Sequence, residues 1–171
     1  MSELLAWVRT VLETTPHRWV QLCEALPVEL LRRAPAPGEW SALECLLHLV
    51  DAERSVFPPR VHYLLAERDF PLFNPDTEGT PLTDDLDIAG LAHEFARLRE
   101  KGLQALADVT PADLGKRARH QELGPVTLSE LLHEWAAHDL MHTVQAERAL
   151  MQPFIQGSGP WTPYFSDHQV K

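Results

Sequence analysis

Basic residues are scarce in this 171-residue chain: 15 Lys and Arg stand against 25 Asp and Glu, for a net charge of −10. They form no block anywhere, and a protein that grips a nucleic-acid backbone needs clustered Lys and Arg to displace counterions. The balance argues against nucleic acid as a partner, and against a membrane surface for the same reason. Cysteine is scarcer still. Cys23 and Cys45 are isolated, with no CxxC pair, so a reduced, cytoplasmic setting is the expectation. No apolar run approaches the roughly 20 residues that a membrane-spanning helix needs. The opening stretch MSELLAWVRTVLETT is interrupted by Glu3, Arg9 and Glu13 and has no signal-peptide pattern. Strand-like alternation of useful length is also missing, and there is no internal repeat.

What is present is helical periodicity. Leu4, Leu5, Val8, Val11 and Leu12, then Trp19, Leu22, Cys23 and Leu26, follow one helical face. Pro16 lies inside this pattern and predicts a kink, or a restart capped by Thr14 or Thr15. Residues 26–33 allow one short turn, and APAPGE at 34–39 is a stiff, non-helical connection. Ser41-Ala42-Leu43-Glu44 is a capping box, in which the Ser hydroxyl and the Glu carboxylate each satisfy a free backbone amide. It opens a second helix expected to reach about Phe57, where Pro58-Pro59 kinks or ends it, with room for further helical turns over 61–67.

Residues 70–85, FPLFNPDTEGTPLTDD, read as a long loop. Asp84 or Asp85 is the expected cap of a third helix running to about residue 107, with Leu91, Phe95, Leu98 and Leu106 on its apolar face. Residues 117–125 read as a polar loop. Thr127-Leu128-Ser129-Glu130 is a second capping box, opening a fourth helix over 128–151. The expectation is an all-α four-helix bundle forming one domain over 1–171, with 153–171 a non-helical tail docked on it by its aromatics. Bundles build metal and ligand sites from side chains projecting inward on facing helices.

The fourth helix carries His138 and His142 one turn apart on one face, about 5–6 Å between Cβ atoms. The chain has nine histidines, and at that frequency one HxxxH pair arises by chance about half the time. Three observations lift the pair above chance. Its arc also holds Leu131, Trp135 and Gln145, so it faces the interior, where an unpaired imidazole is costly. His48 sits two turns into the second helix among Ser41, Glu44, Cys45, Ala52 and Ser55, a small and polar face that suggests a pocket wall. Three imidazoles would leave a coordination position open, as catalytic metal sites do. The zincin-like reading of His133-Glu134 with His138 fails, because at i,i+5 the two rings diverge by about 140°. His133 is expected to face solvent.

The segments GEWSALECLLHLVDAE (38–53) and LSELLHEWAAHDLMHTVQ (128–145) resemble the DinB family, whose name denotes damage induction and which is distinct from the polymerase of that label. The matching positions are Trp40, Ser41 and His48, then His138 and His142, with Glu53 and Gln145 at two further family positions. The resemblance implies a four-helix bundle with up-down-down-up connections, often a homodimer, whose three histidines hold a divalent metal, commonly zinc or nickel. It also implies a small-molecule substrate, since some relatives are S-transferases that use a low-molecular-weight thiol. The expected activity is hydrolysis or such thiol transfer; the alternative is a non-catalytic metal- or ligand-binding stress-response protein. Glu53, Asp139 and Gln145 are the candidates for orienting the ligand rings. Trp40 and Trp135 are expected to pack in the core.

Overall fold

The computed structural model describes residues 3–170, so the ends of the expected span 1–171 lie outside the described residues. Four long helices form the body: α1 (Glu3–Ala25), α3 (Ala42–Ser55), α6 (Ile88–Gln104) and α7 (Leu128–Gly157). Between them lie α2 (Val28–Leu31), α4 (Phe57–Leu65) and α5 (Pro75–Glu78), and the antiparallel pair β1 (Arg117–His120) and β2 (Gly124–Thr127). Helices α1 and α3 each pack against both α6 and α7. Among the described residues, no helix is long and apolar enough to cross a membrane.

The helix directions follow from which residues meet. Arg18 bonds Glu147 while Thr15 bonds Asp139, so α1 and α7 run parallel. Arg54 meets Glu94 and Glu53 meets Arg99, which with the shared core of Leu43, Leu47 and Ile88 sets α3 parallel to α6. His93 meets Glu24 while Arg9 meets Leu106, so α1 and α6 are antiparallel. The order is therefore up-down-down-up.

Both capping boxes form as the local spacing requires. Ser41 Oγ accepts from the Glu44 amide, and Thr127 Oγ1 accepts from that of Glu130. They set where α3 and α7 begin, and so the turn at which each histidine emerges.

Several expectations are corrected. Helix α1 is continuous through Pro16 rather than restarting there. A proline at 16 leaves the Leu12 carbonyl without its helical donor, and Arg99 Nη1 supplies one at 2.9 Å. The second helix stops at Ser55, and α4 restarts at Phe57 with prolines in its first turn, where a missing N–H costs nothing. Asp87, not Asp84 or Asp85, caps α6 by accepting from the Gly90 amide, and α6 ends at Gln104, short of residue 107.

Residues 117–127 form a hairpin rather than a loop. Its strands are four residues long and partly charged, too short for alternation to register. Helix α7 continues through Pro153 to Gly157, its last turn anchored by buried Ile155. The tail is also helical, a 3₁₀ stretch over Gly159–His168, a form that tolerates its prolines at turn starts. Arg148 donates to the His168 and Gln169 carbonyls, and Gln152 to that of His168, while Trp161 and Tyr164 stay exposed. Polar bonds, not those two aromatics, hold it.

Candidate metal centre

His48 emerges from α3 and His138 and His142 from the antiparallel α7, so three imidazoles meet across one helix pair. Their potential ligand atoms all lie within 4.8 Å of one another. His48 Nε2 and His138 Nε2 are 2.9 Å apart, and the ring centroids are separated by 5.0, 4.6 and 4.5 Å. His142 is buried and the other two are half-buried. No carboxylate belongs to this cluster among the described residues.

Burial dominates the electrostatics. It pushes His48 down to about 4, aided by His142, and His138 down to about 3, aided by both neighbouring rings and by Arg99. His142 is also lowered by burial, against the opposing pull of its bond to Gln145 and of Asp139. All three rings are therefore neutral at pH 7, the state in which an imidazole nitrogen binds a metal. His142 Nδ1 donates to Gln145 Oε1 at 2.9 Å, which directs its Nε2 lone pair away from Gln145. His138 Nδ1 is buried with no hydrogen-bond partner among the described residues.

An ordinary core does not gather three neutral imidazoles, since a buried unmatched polar group costs about 1–3 kcal/mol. Three nitrogen donors with no carboxylate suit zinc, nickel or a similar ion, and leave coordination positions for another molecule. The donor set thus fits a divalent metal.

The other candidates separate. Gln145 touches the cluster directly. Replacing it by Leu removes the acceptor that orients His142 and should weaken metal binding by about 10–100-fold; competition with a chromophoric chelator measures this. Glu53 and Asp139 make no hydrogen bond to any of the three rings among the described residues. Both point to Arg99, whose Nη1 and Nη2 each lie 2.7 Å from an Asp139 oxygen and whose Nη2 lies 2.8 Å from Glu53 Oε1. Trp135 Nε1 also donates to Glu53, and Thr15 to Asp139.

This buried cluster was absent from the reading of the chain. Its signal was Arg99 on the same stripe of α6 as Ile88, Ala92 and Phe95, a cation on an apolar face. Gly102 lets the cluster close, since a Cβ there would come within 2.9 Å of Glu53 Oε2.

Trp135 packs in the core, stacked on Phe57. Trp40 packs only at the core's edge: it is half-buried and stacks on His142 at 5.7 Å between centroids, and it also meets His48. Cys45 is buried core rather than pocket wall. His62 bonds the Pro58 carbonyl, His93 bonds Glu24, and exposed His133 bonds the Ser129 carbonyl, all away from the cluster.

A recess of about 290 Å³ opens on His48, between α3 and residues 79–82. Asp51 ties that segment down by accepting from the Thr80 amide at 2.6 Å and its hydroxyl at 2.8 Å.

Comparison with known proteins agrees with this architecture. The family model of the DinB superfamily matches residues 11–146. The chain is similar in structure to YfiT from Bacillus subtilis, described as a probable metal-dependent hydrolase with an unusual four-helix bundle topology. The TM-score is 0.76 at 19% sequence identity, over 90% of each chain. No curated protein sequence matches the chain.

Proposed function

This chain belongs to the DinB superfamily, and on that footing we propose that it is a metal-dependent hydrolase of a small molecule. His48, His138 and His142 would hold one divalent ion, zinc or nickel. The observation that carries the reading is the convergence of three neutral, desolvated imidazoles from two helices, without a carboxylate. The description of YfiT as a probable metal-dependent hydrolase supports it.

When bound, such an ion would supply Lewis acidity and an activated nucleophile at neutral pH. The chain's own residues do the rest. Gln145 holds the His142 ring in one tautomer. Trp40 covers the cluster on one side and limits access of bulk water. Asp51 holds the wall of the recess through which a substrate reaches His48. Transfer of a low-molecular-weight thiol would use the same three histidines and the same recess.

Protein purified without an affinity tag or chelator should contain about one divalent ion per chain by elemental analysis, as a three-ligand open site predicts. Chelation should abolish hydrolysis in an ester and amide screen, and readdition should restore it. A chain that neither carries nor takes up a stoichiometric ion would sink the proposal. Bound metal with turnover only in the presence of a thiol would move it to the transferase reading.

A further inference from the structure

The recess in front of His48 has one sign of charge. Its wall on the α3 side consists of Trp40, Glu44, Leu47, His48 and Asp51, and no Lys or Arg lines it. Glu44, His48 and Asp51 are spaced four and three residues apart, so the ligand imidazole lies between two carboxylates on one helix face.

Glu44 Oε2 is held by the Ser41 amide and hydroxyl, each at 2.7 Å, while no hydrogen bond to Oε1 forms among the described residues. Asp51 is buried and bonded to Thr80. The nearest cation, Arg54, lies 3.6 Å from it, is shared with Glu94, and stays outside the wall. The same wall carries the Trp40 ring, a surface that attracts cations through its π face. The whole chain carries −10, a field that draws cations and repels anions.

We propose that the recess selects small substrates with a cationic end, a quaternary or primary ammonium, and rejects those ending in carboxylate, sulfonate or phosphate. The cationic end would lie between Trp40 and Glu44, leaving the opposite end against His48, the ring of the cluster that lines the recess. At about 290 Å³ the recess is at the small end of ligand sites, which suits a compact metabolite. This inference rests on the metal-site reading above.

Three thiols that share a two-carbon spacer and differ in the charge of the end group test it: thiocholine, 2-mercaptoethanol and 2-mercaptoethanesulfonate. Each is titrated into cobalt(II)-loaded protein, and binding is read from the thiolate-to-cobalt charge-transfer absorption. Thiocholine should bind about tenfold or more tighter than the sulfonate, with the neutral thiol between them. Glu44→Gln preserves the capping box, which accepts Gln as well as Glu; this variant and Glu44→Gln/Asp51→Asn should shrink that ratio stepwise at unchanged cobalt content. A ratio near one, a preference for the sulfonate, an unchanged ratio in the double variant, or no binding of any thiol overturns the proposal. If the chain takes up no cobalt, the metal reading itself fails and the inference falls with it. If cobalt binds without charge discrimination, only the inference falls.

Discussion

Replacing Arg99 by Met should cost about 3–5 kcal/mol of unfolding free energy, the range for breaking a buried ion pair from one side. Arg99 is 1% exposed, and its guanidinium joins three helices: α1 through the Leu12 carbonyl, α3 through Glu53 and α7 through Asp139. Methionine fills similar space but leaves two buried carboxylates facing one another and the Leu12 carbonyl without a donor. Burial already raises Glu53 above the usual carboxylate range despite the bonds from Arg99, so removing the cation favours its protonation and loosens the junction further. Arg99→Lys should rescue little, because one ammonium cannot reproduce the two-pronged contact with Asp139. Urea midpoints measure the series. The triple change Arg99→Met, Glu53→Leu, Asp139→Leu should recover most of the loss, because it removes the stranded charges along with the cation. A loss within the ±0.5 kcal/mol or so of an ordinary surface change would show that the cluster does not hold the helices together.

Replacing His48 by Ala should cost metal as heavily as replacing His138 or His142. Each loss should exceed the roughly 10–100-fold penalty for removing an outer orienting partner such as Gln145. The reason is positional. His138 and His142 are neighbours on α7, whereas His48 is the one member of the cluster from α3 among the described residues, so without it any ion would rest on one helix. Metal content and chelator competition give the affinities. Circular dichroism separates metal loss from unfolding: a small residue in place of a desolvated imidazole should leave the metal-free fold intact. His62→Ala and His93→Ala serve as controls, since these rings bond Pro58 and Glu24 away from the cluster, and their metal content should not change. Metal retained in His48→Ala but lost from the two α7 variants would refute the three-ligand site.

How legible each feature was depended on its reach along the chain. The capping boxes at Ser41 and Thr127 involve residues three apart, and both formed as read. The HxxxH face is equally local, since one turn of α7 places His138 beside His142. The break at Pro16 was misjudged because the bond that repairs it comes from Arg99, on another helix. Glu53 and Asp139 were misplaced for the same reason. Asp139 adjoins His138 and Glu53 follows His48 by five residues, yet a helix turns about 100° per residue, so Asp139 and Glu53 point to Arg99 while His138 points to His48. Pro58-Pro59 marked a real break, one that falls just before them at Val56, whereas Pro153 marked none: α7 runs through it to Gly157, with Ile155 buried beyond it.

The three histidines of the cluster, two from α7 and one from α3, therefore rest on two kinds of information. Composition, spacing and caps by themselves determined an acidic helical bundle with two imidazoles on one turn, because those signals are carried by residues within a few positions of one another. Only the tertiary structure decided that His48 reaches them, that Gln145 bonds His142 while Asp139 bonds Arg99, and that carboxylates and Trp40 line the recess in front of His48. Those outcomes depend on the antiparallel alignment of α3 with α7 and on a buried arginine binding both from α6, which local periodicity cannot specify.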